Sequence, residues 1–599
     1  MELDEEQRKA LQPHVRLIEA GPGAGKTRTI VERFVSRVSV SDCGVALISF
    51  TNAAIDEARR RCPAKLLQYP HFVGTIDAFL HRYIVTPLFI RSHGISPVYV
   101  RSWGEYKNTD IHCGRMSVPL DAFLLIPHEN SVKSIEILDD KVKKLDECIK
   151  RKIVREAQNK LFSFYKKGII SCEYARRYAL LSLQNNSVIV YILRNRFSEI
   201  IVDEFQDCSY NEVQIVELLA KAGIHFVSVA DPYQAIYGFR GVYSLIYQNY
   251  RKSMIDRYPG CDSFLKTNYR SIGDICNFIS ALRGLPKGGI IAANKVLKGE
   301  LSVLVGTNDE QLELFKCLIG KYGIQVNDAI VLAHSRDNAR TLAGKKQNGD
   351  IGKMSKGNIS GLLKALYLFY TSDDSLGRHK AVHCAVRVIV DSYNWSDNVS
   401  SSNEDRLALL GISLNIVRYM IITLVSSLFK QEGAYESKDS CSQYVQQFLA
   451  AYLPKQGSGK STDEKTIKQR FPKLVDRDWR EWKKCMNDLN GQKTIQCSHI
   501  HGVKGEEYEA VLLSTAHSVK TVPVWDVNVS DSLADNINSE SFRMFYVGAS
   551  RAKRVLAIGV DKKNKDRFLR WMSDLGLHNG DDFHVYSNTC SSFQSSLNL

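Results

Sequence analysis

Several absences narrow the field before any motif is read. None of the 14 cysteines stands in a Cys-x-x-Cys pair, and their spacings are irregular. That speaks against an iron–sulfur cluster or zinc ribbon built on such pairs. Scattered cysteines suit a reducing compartment, where they serve as small buried hydrophobes. No uninterrupted apolar run approaches the ~18 residues that suggest a membrane span. Residues 1–12 are charged and lack the apolar stretch of a secretory signal. A cytoplasmic protein without a membrane segment is the expectation. No internal repeat recurs at a fixed period, although the two halves share a layout.

What remains is ordinary for a folded chain: 599 residues, 44% hydrophobic and 24% charged. That is room for several domains of roughly 100–200 residues each. The net charge of +15 suits a polyanion such as nucleic acid, bound by phosphate neutralisation and counterion release. A solvated basic surface would give the same count.

Along the chain, residues 15–20 form a short apolar run ending in a glycine-rich turn. Residues 27–38 have helical spacing, 45–50 read as a strand and 52–61 as a helix. This strand–helix alternation predicts α/β architecture with doubly wound parallel sheets. From about 76 to 195 the pattern turns helical, with Lys and Arg clustered between 141 and 167; strand character returns at 199–202 and 226–230. A second α/β core begins near 265, gives way to a helical stretch over 344–491, and resumes from 492 to 565, before a short tail at 566–599. Two cores, each with a mainly helical insertion, are therefore expected.

Ala20-Gly21-Pro22-Gly23-Ala24-Gly25-Lys26-Thr27 follows a strand and opens a helix. Glycines let backbone N–H groups turn inward around phosphate, and the helix N-terminus adds its positive dipole end. Lys26 is placed to reach the β- and γ-phosphates, and the Thr27 hydroxyl to bind Mg²⁺. Gly457-Ser458-Gly459-Lys460-Ser461 has a similar composition, but no strand feeds it, so it reads as a linker. Ile200-Ile201-Val202-Asp203-Glu204-Phe205-Gln206-Asp207 is an apolar strand ending in carboxylates, which would face the same crevice as the phosphate loop. Asp203 is the candidate Mg²⁺ ligand, and Glu204 the candidate general base for an attacking water.

The segment Asp203-Glu204-Phe205-Gln206-Asp207 resembles motif II of UvrD/Rep/PcrA-type superfamily 1A DNA helicases, and the other motifs of that family follow in order. Leu3-Asp4-Glu5-Glu6-Gln7 resembles the Q motif. Ser49-Phe50-Thr51-Asn52-Ala53-Ala54 resembles motif Ia, and Gly74-Thr75 the start of Ib. Residues 231–241 resemble motif III and Asn268-Tyr269-Arg270-Ser271 motif IV. His501-Gly502-Val503-Lys504-Gly505-Glu506-Glu507-Tyr508 resembles motif V, and Tyr546-Val547-Gly548-Ala549-Ser550-Arg551-Ala552 motif VI. The resemblance implies two RecA-like domains, 1A (1–75 and 196–264) and 2A (265–343 and 492–565), with insertions 1B (76–195) and 2B (344–491). It implies ATP and Mg²⁺, with Gln7 reading adenine, Tyr269 stacking on it, Arg28 adding a phosphate contact and Glu507 holding the ribose. Gln234, Arg270 and Arg551 would meet the γ-phosphate, the two arginines from across the interdomain cleft. Phe50, Tyr237 and Phe239 would stack on bases of a single DNA strand, and Thr51, Asn52, Thr75, Arg240 and His501 would contact the strand or its phosphates.

Some positions depart from the family pattern. Phe239 replaces the usual Trp of motif III, Gly502 a small polar residue of motif V, and Ile76-Asp77 the usual Phe-His. The short segment after motif VI leaves no room for a RecB-type nuclease domain. Two functions fit. One is a DNA-stimulated ATPase and 3′–5′ helicase acting on single strands and single/double-strand junctions in repair, replication restart or defence. The other is a DNA-sensing ATPase that controls a separate nuclease, as the UvrD-like component of Gabija-type antiphage systems does with its OLD-family partner.

Overall fold

The computed structural model describes residues 3–50, 55, 59–63, 67–106, 109–114, 116–128, 131–238, 244–344, 351–355, 358–372, 375–393, 403–429, 437–453, 464–490, 495–517 and 521–587. Thr51, Asn52, Phe239, Arg240 and the second glycine-rich run at 457–461 lie outside them.

Two six-stranded sheets organise the chain, every adjacent pair parallel. The first contains β1 (Leu17–Ala20), β2 (Gly44–Ile48), β3 (Phe72–Gly74), β4 (Phe197–Val202), β5 (His225–Ala230) and β6 (Asp262–Leu265), in the order β6-β1-β5-β4-β2-β3. Its strands are near-continuous apolar runs because helices cover both faces of a parallel sheet. All five residues of β2 are buried. Gly44 has to start that strand: a Cβ there would lie 2.5 Å from the Pro70 carbonyl oxygen and 2.8 Å from that of Arg196. The strand order also makes β1, β5 and β4 consecutive. The phosphate loop, the segment from Asp231 and the carboxylates from Asp203 therefore leave neighbouring strands at one carboxyl edge, where α/β sheets bind ligands.

The second sheet contains β7 (Glu300–Val305), β8 (Ala329–Ala333), β9 (Gln496–His499), β10 (Tyr508–Ser514), β11 (Ala552–Val560) and β12 (His584–Tyr586), in the order β9-β8-β10-β11-β7-β12. Between its β8 and β9 lies a body that is helical among the described residues, with Asn358–Thr371, Ser375–Asp391, Leu414–Phe429, Lys438–Tyr452 and Asp476–Asn490 among its helices and an apolar core of its own.

Two readings need correction. The segment between β3 and β4 is not helical throughout. Beside helices such as Glu147–Lys166, whose Ile153, Ala157 and Leu161 form a buried stripe, it carries two antiparallel hairpins: Ile111–Cys113 with Met116–Val118, and Phe123–His128 with Ser131–Ile137. Short apolar runs such as Phe123-Leu124-Leu125 do not reveal by periodicity whether they are helix or strand. Nor are residues 566–587 a tail. Helix Lys565–Asp574 buries Phe568 and Met572 completely, and β12 pairs with β7, so they complete the second core.

A buried ion pair ties the first sheet to its helical layer. Arg33 Nε lies 2.9 Å from Glu199 Oε1, with both side chains fully buried, and Arg33 Nη1 donates to the carbonyls of Ala10 and Gln12. Glu199 also accepts from Arg37 Nε at 3.1 Å, so it is removal of Glu199 that strands the buried Arg33 charge, at a cost of about 3–5 kcal/mol. Glu199→Ala should therefore lower the melting temperature by several degrees, and Arg33→Met combined with Glu199→Leu should recover most of the loss. Equal melting for Glu199→Ala and the parent chain would show the pair to be energetically neutral.

Candidate nucleotide site and nucleic-acid path

The phosphate loop runs from β1 into helix Lys26–Val38. Gly23 (φ +69°) and Gly25 (φ +74°) are left-handed, and Gly25 occupies the N-cap position of the helix. The loop is also tightly enclosed. A Cβ on Gly23 would lie 2.5 Å from Asn268 Oδ1, and one on Gly25 would lie 2.8 Å from Gln7 Nε2. Ala20, Gly21, Pro22 and Ala24 are buried beneath it, while Lys26, Thr27 and Arg28 in the first turn are half-buried. Gln7 is 1% exposed, and its Nε2 donates to the Ala24 carbonyl at 3.3 Å. On the other side, the Tyr269 backbone N–H donates to Gly23 O at 2.9 Å and its hydroxyl to Asp4 Oδ2 at 2.7 Å. Gln7 and Tyr269 thus flank the loop where it enters the helix. Left-handed glycines, a helix N-terminus and one lysine fit a polyphosphate.

Asp203 and Glu204 end β4 under this loop. Glu204 is a non-glycine residue at φ +49°, a conformation sustained only when its surroundings impose it, and one that clusters at active sites. Its Oε1 lies 3.7 Å from Lys26 Nζ. Asp203 Oδ1 accepts from the Glu204 N–H at 2.9 Å, and the Gln206 amide donates to the Glu204 carboxylate. Burial, then the Glu204 charge, pushes the Asp203 carboxyl above its ordinary range. Burial also acts on Glu204, but Lys26, Lys504, the Gln206 hydrogen bond and Arg551 outweigh it and hold that group ionised. Two adjacent acids, Asp203 buried and Glu204 half-buried against Lys26, are a donor set suited to a divalent cation, with the Thr27 hydroxyl on the neighbouring turn.

The second domain closes the site. Arg551 is 2% exposed and donates to Val547 O at 3.0 Å, Ser550 Oγ at 2.8 Å, Glu506 O at 3.3 Å and Gln234 Oε1 at 3.2 Å. Burial, then Arg270, works against its charge and brings it down to about 9. A buried guanidinium held by neutral oxygens gains strongly from an anion placed beside it. Arg270 Nε donates to Glu507 Oε2 at 2.9 Å and Nη1 to Ser550 O at 3.0 Å; Lys553 engages the other Glu507 oxygen at 3.0 Å. Lys504 crosses back, with Nζ 2.6 Å from Asp207 Oδ2 and 2.9 Å from Gln234 O. The structure thus brings Lys26, Asp203, Glu204, Gln234 and Arg551 to one place, with Arg270 and Glu507 paired at its rim.

Of the residues expected to meet a strand, Tyr237 and His501 lie together. The Tyr237 ring lies 6.1 Å from that of His501, and Lys504 Nζ is 4.6 Å above the Tyr237 ring. Phe50 is half-buried against the first core. The Thr75 hydroxyl accepts from the Ala78 N–H at 3.1 Å and caps helix Ile76–Leu80.

Residues 3–89 and 125–255 match the UvrD/REP helicase N-terminal domain, and 478–563 match the UvrD-like helicase C-terminal domain, together just over half of the chain. The chain belongs to the UvrD/REP helicase family. It is similar to the ATP-dependent DNA helicase Rep of Buchnera aphidicola subsp. Acyrthosiphon pisum, 22% identical over 90% of this chain and 91% of that one. It is 27% identical to DNA helicase II of Escherichia coli over 47% of this chain and 40% of the relative. With a probable DNA helicase of Mycoplasma pneumoniae it shares 28% identity over 45% and 53%. By family membership it is an ATP-dependent DNA helicase. Among the described residues no helix is long and apolar enough to cross a membrane.

Three features of this helicase lay beyond sequence reasoning. Asp77 is bound by Arg176 at 2.8 and 2.9 Å, with Glu212 3.3 Å from the same guanidinium. Arg176 therefore joins the insertion to the first core, through Glu212. Lys504 lies inside motif V, but its bridge to Asp207 links residues 297 positions apart. Arg283 belongs to no motif, yet is buried between the two domains, donating to Asp231 Oδ1 at 2.6 Å and Glu19 Oε1 at 2.7 Å.

Proposed function

We propose that this helicase is a DNA-stimulated ATPase that moves 3′ to 5′ along single-stranded DNA and separates strands at junctions by opening and closing the cleft between its two RecA-like cores. The observation that carries the reading is the cross-cleft contact of Arg551 with Gln234, which sets a second-domain guanidinium against the first-domain site. Gln7 and Tyr269 would hold adenine, Arg28 the phosphates and Glu507 the ribose. Thr27 and Asp203 would hold Mg²⁺, which supplies charge compensation at the β- and γ-phosphate oxygens. Glu204, ionised beside Lys26, takes the proton of the attacking water as the bond between γ-phosphorus and the bridging oxygen breaks. Lys26, Arg270 and Arg551 balance the charge that develops on the phosphoryl oxygens.

The strand would lie over Phe50, Tyr237 and Phe239, with Thr51, Asn52, Thr75, Arg240 and His501 at its backbone. Lys504 touches both Tyr237 and the Asp207–Gln234 side of the nucleotide site, which gives the strand a physical route to the chemistry. Base–aromatic stacking contributes about 1–3 kcal/mol per base. Tyr237→Ala should therefore weaken single-strand binding by roughly 5- to 150-fold while the DNA-independent ATPase stays near the parent rate. An unchanged Kd in fluorescence anisotropy would remove Tyr237 from the path. The proposal as a whole is tested by strand displacement. ATP-dependent unwinding is expected on a 3′-tailed duplex and not on a 5′-tailed one; turnover without displacement on either tail would overturn it. No described residue specifically favours the reading as a regulator of a separate nuclease.

A further inference from the structure

Gln234 is a first-domain side chain that accepts a hydrogen bond from Arg551, so what fixes its amide matters to any chemistry at this site. Gln234 Nε2 donates to Asp231 Oδ2 at 2.7 Å, and its Oε1 accepts from Arg551 at 3.2 Å. Only this amide orientation satisfies both neighbours, because a carboxylate accepts and a guanidinium donates. Asp231 is fully buried. Its Oδ1 is taken by Arg283 Nη1 at 2.6 Å, its Oδ2 also accepts from the Tyr546 hydroxyl at 3.1 Å, and its backbone N–H donates to Gln206 Oε1 at 3.0 Å.

Arg283 comes from the second domain, immediately after helix Gly273–Leu282. It also donates to Glu19 Oε1 at 2.7 Å and the Tyr546 hydroxyl at 3.0 Å, and its guanidinium carbon stands 4.7 Å over the Tyr233 ring and 5.5 Å from the Phe264 ring centre. Glu19 belongs to β1, the strand that feeds the phosphate loop. Burial works against the Arg283 charge, but Tyr546, Asp231 and Glu19 outweigh it and keep the group cationic. One second-domain cation therefore pairs with two first-domain carboxylates: Glu19 on the strand that feeds the phosphate loop, which Arg251 also reaches at 3.4 Å, and Asp231 behind Gln234.

We propose that Arg283 is a positioning residue for ATP hydrolysis: by holding Asp231 it sets the Gln234 amide so that its oxygen faces Arg551, and it does so only when the two domains are docked. Without Arg283, Asp231 lacks its balancing charge and retains only the Gln234 amide and the Tyr546 hydroxyl as side-chain donors. The Asp231 carboxylate, left on Oδ1 with the Tyr233 N–H at 3.2 Å, is then free to turn, and the Gln234 amide that donates to it turns with it. Opening of the cleft would break the same contact, so Arg283 makes the catalytic register conditional on closure. This rests on the reading of Gln234 and Arg551 as γ-phosphate residues.

The test is a double-mutant cycle on full-length protein, read as single-strand-stimulated kcat and KM for ATP, with melting temperature and single-strand Kd as checks of folding. Gln234→Ala should lower kcat by about 10²-fold. Arg283→Met should lower kcat by about 10- to 100-fold with little change in KM, because geometry rather than binding is lost. The double variant should turn over no more slowly than Gln234→Ala alone, since Arg283 acts through Gln234. Multiplicative losses in the double variant would overturn the positioning role. A Gln234→Ala protein with normal turnover would overturn the underlying site reading instead. Should Arg283→Met fail to fold, Asp231→Asn interrupts the same chain of contacts with unchanged shape, and the same non-additivity with Gln234→Ala is expected.

Discussion

Lys26→Ala should reduce ATP hydrolysis by at least 10²- to 10³-fold, on the order of what one preorganised electrostatic partner contributes, while single-strand binding stays within about threefold. Two effects combine. The variant loses the cation at the head of helix Lys26–Val38 that a polyphosphate would meet first. It also loses the strongest single influence that keeps the Glu204 carboxylate ionised, leaving Lys504, the Gln206 hydrogen bond and Arg551 against the burial that pushes it upward. Binding of the strand should persist because Tyr237 and His501 meet on another surface, beside Lys504. Nucleotide turnover by coupled assay and strand binding by anisotropy check both halves. Normal turnover in Lys26→Ala would refute the assignment of the loop.

Arg551→Ala should lower kcat by about 10³- to 10⁵-fold, the range for an arginine that stabilises charge in phosphoryl transfer. Arg551→Lys should recover little. The guanidinium of Arg551 spans four acceptors on separate segments, the carbonyls of Val547 and Glu506, the Ser550 hydroxyl and the Gln234 amide oxygen. A lysine ammonium has three donors on a flexible stem and cannot reproduce that planar fork. The loss should fall on kcat more than on KM if the arginine acts mainly in the transition state. A variant with intact kcat and a raised KM would instead make Arg551 a ground-state binding residue.

The two variants differ in how far they could be foreseen. Lys26 and Asp203 are legible because their chemistry is local: a strand, a glycine-rich turn and a helix within a few residues, or a strand that ends in acids. The resemblance to UvrD/Rep/PcrA-type enzymes placed Gln234, Arg270 and Arg551 by motif, and the structure brings them into contact or to the rim. The hairpins at 111–137 escaped because their apolar runs are shorter than any period that separates strand from helix. The span 566–587 was read as a tail because nothing in a ten-residue helix announces which sheet it will cover.

By itself, the sequence determined the α/β class with two interrupted cores, the phosphate loop at Gly25-Lys26-Thr27, the acids after β4 and the membership of the helicase family. These follow from patterns a few residues long, written into neighbouring positions. Only the tertiary structure decided that Lys504 joins Asp207, that Asp77 and Arg176 pair across the first insertion, and that Arg283 bridges Glu19 and Asp231. Each of these is a cation on one segment and a carboxylate on another, separated by 52 to 297 positions. A charged residue in sequence looks the same whether water or a buried partner receives it. The difference arises only when folding removes the water and leaves one oppositely charged group within reach.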